Sequence, residues 1–354
     1  SHLIEWLAHI TYLNVTQARG KDTAEKLAVL LKDAPSIIPL APMRFYWQEQ
    51  LISIKELRLN TAKDTEKPIT FIIDHDTGDQ PGQWQLHQQL CHIEWTCVSI
   101  LAAWGSASEQ AVKVIGELNL KRPFAVISLQ DFVIGGGDSR KAVTNAFIEL
   151  NVPVFKGIRM TELSQTQYDL SPSGLPSDSV HYRVAMPELQ GISQPHVLAL
   201  ASSAKQDPIT GASLTLSEVI PNEISRLQHR VNAWLALQTT KNAHKKIAIV
   251  YYNHPPGRHN IGADNLDVQQ SLWHILKELK AQGYDLGPEQ NFPTSPKALL
   301  DLLQQKAVNL PQDASALKAM APLIDKMSVA EYQHYFDHLP ESVQAEMIEG
   351  PLGY

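Results

Sequence analysis

Between residues 68 and 156, short apolar runs of strand length alternate with stretches whose apolar positions fall on one face of a helix. The runs Ile69-Thr70-Phe71-Ile72-Ile73, Thr96-Cys97-Val98-Ser99-Ile100-Leu101, Phe124-Ala125-Val126-Ile127 and Val152-Pro153-Val154-Phe155 begin 27 or 28 residues apart. Between them lie a helix candidate over residues 84–91, then Ala111, Val112, Val114, Ile115 and Leu118, then Ala142, Val143, Ala146, Phe147 and Leu150. Strand and helix in regular alternation predict a parallel sheet with right-handed crossovers. The fold class read from this pattern is α/β, a Rossmann-like doubly wound domain over residues 67–156 with additional helical segments elsewhere.

The flanks are less regular. Residues 1–66 read as mainly helical, on Ala24, Leu27, Ala28 and Leu31 at i, i+3, i+4, i+7 spacing, closed by the proline-punctuated stretch 35–42. Residues 157–294 read as a second α/β region. It would hold strands at 180–186 and 196–200 around a turn at Gly191, and a helix over 222–238 with Ile224, Leu227, Val231, Trp234 and Leu235 on one face. A strand at 247–252, a Gly/Pro loop and a helix marked by Val268, Leu272, Ile275, Leu276 and Leu279 complete it. Residues 295–354 read as short helices split by Pro311, Pro322 and Pro340. No internal repeat or low-complexity tract is present.

Composition narrows the class. A hydrophobic share of 44% with 19% charged residues argues against disorder. The net charge of −7, spread along the chain, removes a whole-chain electrostatic case for nucleic acid or an anionic membrane. No apolar run approaches the roughly 20 residues of a spanning helix. The two cysteines, Cys91 and Cys97, make neither a disulfide framework nor a metal knuckle and suit a reducing compartment. With no signal-peptide pattern behind Ser1, the expected location is cytoplasmic.

Three loops could carry chemistry. The first is Asn253-His254-Pro255-Pro256-Gly257-Arg258-His259-Asn260-Ile261-Gly262-Ala263-Asp264, between the expected strand and helix. In an open α/β sheet that places it at the carboxyl edge, where ligands bind. Two prolines stiffen it, Gly257 and Gly262 permit close backbone approach, and His254, Arg258 and His259 supply titratable or cationic groups. A rigid sheet connection would use the same prolines and glycines. The second is Asp131 to Ser139 with Gly135, Gly136 and Gly137, either a structural turn or backbone offered to a ligand. The third, Asp74-His75-Asp76-Thr77-Gly78-Asp79, fails as a calcium loop and is more simply a polar turn. His334 and His338 share one helix face but lack the acidic partner of a metalloprotease motif. Walker, Rossmann-glycine, zinc-knuckle and nucleophile-elbow signatures are all missing, so neither a nucleotide nor a resident metal is indicated.

The stretch from Ile247 to Ala263, continued by Leu266-Asp267-Val268 and Ser271-Leu272, resembles the cobaltochelatase large subunit and the porphyrin-binding subunit of magnesium chelatase. Val184-Ala185-Met186-Pro187-Glu188-Leu189-Gln190-Gly191 resembles that family's Pro-Glu-x-Asp-Gly segment, with Gln190 where Asp is usual. The resemblance runs from about residue 35 to the end and implies an N-terminal portion of a much longer large subunit. It implies a tetrapyrrole substrate and a divalent metal, cobalt or magnesium, as the substrate ion. ATP would be hydrolysed by separate ATPase chelatase subunits and not bound by this chain. Cobalt insertion into a corrin precursor, in cobalamin biosynthesis, is favoured on the Tyr-Asn-His-Pro-Pro-Gly wording. His254 is the candidate base for the pyrrole protons. Pro255, Pro256, Gly257, Arg258, Asn260, Gly262 and the three glycines 135–137 are candidate substrate contacts. The competing reading is a non-catalytic tetrapyrrole- or haem-binding module on the same scaffold.

Overall fold

The computed structural model describes residues 41–63, 66–77, 79–137, 139–206, 213–252, 261, 265–306, 313–322, 324 and 326–350, with 20–22, 25, 26 and 29 before them. The chain divides into two compact units, Ser1–Thr239 and Thr240–Tyr354.

From residue 41 onward the first unit runs through a hairpin, Met43–Trp47 (β1) and Gln50–Ile52 (β2), followed by Ile54–Lys63 (α1). Then come Ile69–Asp74 (β3), Gln80–Leu90 (α2), Thr96–Ala102 (β4), Ser106–Glu117 (α3), Phe124–Ser128 (β5), Ser139–Leu150 (α4), Val154–Ser164 (β6) and Ser193–Ala201 (β7). Lys205–Gln206 (β8) and Ser213–Leu214 (β9) pair with each other, and Ser217–Val219 (β10) leads into Pro221–Thr239 (α5). Eight strands form one sheet in the order β10-β7-β6-β5-β3-β4-β1-β2. Its centre, β4-β3-β5-β6-β7, is parallel, while β1, β2 and β10 close the edges antiparallel.

The alternation expected over residues 67–156 is therefore present, and the sheet continues past 156 through β6 and β7. Its central strands read as apolar runs because they are covered on both faces. Ile69, Phe71, Ile73, Val98, Ile100 and Val126 pack under α1, α3 and α4, and Ile72, Cys97, Ala125, Ile127 and Leu198 under α2 and α5. Each large side chain so buried contributes roughly 1.5–3 kcal/mol.

Four readings of the sequence need correction, three of them in this unit. Within residues 1–66, read as mainly helical, Met43–Ile52 folds instead as a hairpin whose first strand joins the sheet beside β4. The helical spacing of Ala24, Leu27, Ala28 and Leu31 lies outside the described residues. Residues 180–186 are not a strand. Ser177–Glu188 is helical, with a π-helical turn over His181–Ala185. The alternating Val180, Tyr182, Val184 suggested period two, yet the buried positions are Ser179, Arg183 and Pro187, four apart. Cys91 and Cys97 are bonded to each other as a disulfide across the end of α2 and the start of β4, so they carry no argument for a reducing compartment.

In the second unit, Val268–Ala281 (α6) forms where its spacing placed it, capped by the Asp267 carboxylate on the Gln270 N–H. Val268 and Leu272 pack with Leu299 of Pro296–Lys306 (α7). Ala314–Met320 (α8), Val329–Asp337 (α9) and Glu341–Glu349 (α10) follow as the expected short helices. Residues 247–252 are not a strand. Among the described residues no ladder partner lies along them, and a strand cannot form alone. No helix among the described residues is long and apolar enough to cross a membrane.

Candidate functional site

The parallel strands depart in opposite directions from β3, toward β4 on one side and β5 on the other. In such sheets ligands usually bind outside the carboxyl ends of the strands at that switch point, here β3 and β5. Asp74, the last residue of β3, stands there fully buried. Arg159 of β6 donates to both carboxylate oxygens, at 2.6 Å each. His87 of α2 approaches at 2.8 Å, Gln83 donates at 2.7 Å, and the His75 backbone N–H donates at 2.8 Å. Burial alone would raise the Asp74 pKa; the Arg159 and His87 contacts overcome it and hold the carboxyl far below the ordinary range.

An ionised Asp74 also sets the imidazole. In the neutral ring Nε2–H donates to Asp74, leaving Nδ1 to accept from the Ser99 hydroxyl of β4 at 2.9 Å. The line Ser99–His87–Asp74–Arg159 thus runs through the interior of the unit. At its outer end His87 and Ser99 line a cavity of about 450 Å³, walled by Tyr46, Trp84, Trp95 and the disulfide.

Beside this line sits a second set of cations. Lys156 of β6 is buried and donates to the Gln130 carbonyl. Burial, reinforced by Arg159 and Arg183, pushes its pKa down to about 7 against the opposing pull of Asp131. Arg183, on the π-helical turn, is anchored by Glu162 at 2.6 Å. Arg44 of β1 pairs with Asp76, but its Nε and Nη1 are buried without partners. Asp79 accepts from Gly82 N–H and from the Ser217 N–H and hydroxyl, joining α2 to β10. Burial raises its pKa, and these hydrogen bonds more than reverse that rise.

The glycine loop forms one wall of the edge. Gln190 clasps it through the Ile134 backbone, accepting from N–H at 2.9 Å and donating to C=O at 2.8 Å. Gly135 has φ +70° and lies against Val143, and a Cβ on Gly136 would come within 2.5 Å of the Trp104 ring. Those two glycines are required by internal packing. Gly137 alone has open space around its Cα. In the other unit, His254, Pro255, Pro256, Gly257, Arg258, Asn260 and Gly262 lie outside the described residues. Of that loop Ile261 is described, and it packs with Tyr251 against Val268 and Leu272.

Sequence reasoning favoured a polar turn at Asp74 over a ligand or base at the strand end, noted His87 only as near His92, and gave no role to Lys156, Arg159 or Arg183. A signal for two of them was present: Lys156 and Arg159 interrupt an otherwise apolar strand, Val154-Phe155-Lys156-Gly157-Ile158-Arg159-Met160. Among the described residues no group of three or more His, Cys, Asp or Glu side chains is arranged to hold a metal ion.

Comparisons with known proteins agree with this architecture. The family described as CobN/Magnesium Chelatase matches residues 6–350. The chloroplastic magnesium-chelatase subunit ChlH of Oryza sativa subsp. indica is 27% identical over 314 residues, covering 85% of this chain and 22% of that protein. The aerobic cobaltochelatase subunit CobN of Sinorhizobium sp. is 23% identical over 310 residues, covering 85% of this chain and 23% of that protein. The solved catalytic subunit of cobaltochelatase from Mycobacterium tuberculosis superposes with a TM-score of 0.56 at 17% identity, over 82% of this chain and 24% of that one. The chain thus spans about a quarter of the length of these relatives. With a match over nearly its whole length, it belongs to the CobN/magnesium chelatase family.

Proposed function

We propose that this chain is a portion of an ATP-dependent metal chelatase large subunit that binds a tetrapyrrole for insertion of a divalent metal. The family match over residues 6–350 carries the reading. Cobalt entering a corrin precursor is favoured over magnesium entering a porphyrin on the Tyr252-Asn253-His254-Pro255-Pro256-Gly257 wording of the loop. ATP is assigned to partner ATPase subunits, consistent with the lack of any phosphate-binding motif.

The chemistry divides between two kinds of group. A macrocycle bearing carboxylate arms needs cations and N–H donors at its rim and a base to take the pyrrole protons as the metal enters. Arg258, with the backbone of Gly257, Asn260 and Gly262 between the stiffening Pro255 and Pro256 and the next helix, is assigned to the rim. His254 is assigned as the base. In the first unit, Gly137 beside Gly135 and Gly136 offers open backbone. A binding-only role for this first unit is favoured by one observation: the Asp74 carboxylate is fully engaged by Arg159, His87 and Gln83, so it has no lone pair to spare for proton transfer.

The test uses the full-length parent with its ATPase partners. Cobalt insertion into a corrin a,c-diamide is compared with magnesium insertion into protoporphyrin, alongside Soret-band titration of each macrocycle. His254→Ala is expected to keep macrocycle binding and lose ATP-dependent insertion. Unchanged insertion removes His254 from the mechanism, and failure of the wild-type parent to bind either macrocycle removes the function.

A further inference from the structure

The cavity beside His87 has a covalent wall. Cys91 is the residue capping α2 and Cys97 the second residue of β4, and their bonded sulfurs close a loop across a sequence separation of 6. Both cysteines line the 450 Å³ cavity together with His87 and Ser99. Cys91 is half-buried, whereas Cys97 is 7% exposed.

Other contacts already hold this loop. Lys67 Nζ donates to the Ile93 carbonyl at 2.9 Å, and the Thr96 N–H bonds the Pro68 carbonyl at 2.8 Å. Gln228 donates to the Gln89 carbonyl at 2.8 Å, and the Trp95 ring is buried with Leu86 and Leu90. A crosslink that closes so short a loop restricts the unfolded chain less than a long-range one does. The loop therefore keeps other anchors when this bond opens, and the bond borders space that a small molecule can enter. Those are the properties of an exchangeable disulfide rather than of a structural one sealed in a core.

We propose that Cys91–Cys97 is a thiol–disulfide exchange site, entered through this cavity by a small dithiol, with Cys91 as the sulfur attacked. The dithiol's thiolate forms a bond to Cys91 Sγ while the protein S–S bond breaks. The electron pair leaves on Cys97 Sγ, which takes up a proton from solvent. The reductant's second thiol then displaces Cys91, giving a cyclic disulfide and two protein thiols, so two electrons pass from the dithiol to the protein. Cys91 is assigned as the entry sulfur because it is the more accessible of the two. The bond ties the helix end four residues after His87 to the strand two residues before Ser99. Its opening releases that wall of the cavity while the sheet stays intact.

The test is thiol trapping on the whole chain. Protein exposed to millimolar dithiothreitol, with and without urea, is acid-quenched, alkylated and weighed by mass spectrometry. The native protein is expected to gain two alkylated thiols at a rate within about a hundredfold of the urea sample. Its far-UV circular dichroism should stay unchanged, and an oxidised dithiol should re-form the bond. Untreated protein that already carries two free thiols overturns the proposal, as does native reduction slower than that limit. In single variants checked for folding by circular dichroism, Cys97→Ser should form a mixed disulfide with glutathione disulfide about tenfold faster than Cys91→Ser. Equal or reversed rates overturn the assignment of Cys91 as the entry point.

Discussion

Replacing Arg159 by Met tests the electrostatic centre of the first unit directly. Asp74 accepts five hydrogen bonds, two of them from the Arg159 guanidinium, and both side chains are buried. Methionine fills much of the same volume but leaves the carboxylate without its cation. Breaking a buried pair from one side costs about 3–5 kcal/mol. The pH dependence gives the sharper test. In the wild type the Asp74 pKa is depressed, so its contribution is present above the unfolded carboxyl pKa of about 3.9 and is lost as pH falls below it. In Arg159→Met the depressing cation is gone and burial dominates, so the folded variant takes up a proton that the unfolded chain does not. The variant should therefore recover stability on acidification from pH 7 toward 5, by at most about 1.4 kcal/mol per pH unit. Urea unfolding at both pH values, followed by circular dichroism, measures this. A loss below about 1 kcal/mol at pH 7, or a wild-type-to-variant gap that does not narrow at pH 5, would refute the account of Asp74 as a charge held by Arg159.

Lys156→Met should be neutral or stabilising near pH 7. It should also abolish a rise in wild-type stability between pH 7 and 10, because a lysine pushed down to about 7 in the fold releases a proton that the unfolded chain keeps up to about 10.4; identical pH profiles would contradict this. Gly136→Ala places a Cβ against the Trp104 ring and should cost about 1–3 kcal/mol with a change in Trp104 fluorescence, whereas Gly137→Ala meets no neighbour and is limited only by its φ of +51°. Gln190→Leu leaves the Ile134 N–H and C=O without their buried partner and should destabilise by about 1–3 kcal/mol in chemical denaturation; an unchanged midpoint would mean the glycine loop is held by other contacts.

The sequence made the centre of the sheet readable because β3, β4 and β5 are covered on both faces and so appear as uninterrupted apolar runs at a fixed interval. The edges were harder. β1 lies beyond a proline-rich stretch, and its Phe45 and Tyr46 face opposite sides of the sheet, so neither helical nor strand spacing dominates. The helix at Ser177–Glu188 was hidden because its buried positions, Ser179 and Arg183, are polar. Arg183 is inside for the sake of Glu162 rather than for apolar burial. Asp74 was visible but its meaning was not. Its partners sit 9, 13 and 85 residues along the chain, and only the topology brings them to one strand end. The family resemblance rested mainly on residues 247–263, most of which lie outside the described residues, so the best motif and the best geometry fall on different parts of the chain.

The stretch at 247–251, which joins no ladder among the described residues, has a consequence for handling and assembly. Ile247, Ile249 and Val250 are 51%, 38% and 93% exposed, and their backbone donors and acceptors are not engaged in any ladder among the described residues. A segment with that sequence is a template for strand addition. Whatever polypeptide supplies a complementary edge gains main-chain hydrogen bonds and covers apolar surface in a single step. Left uncovered, the same segment nucleates edge-to-edge aggregation. Recovery of this chain in dispersed form should therefore depend on what lies along residues 247–250 more than on its net charge of −7.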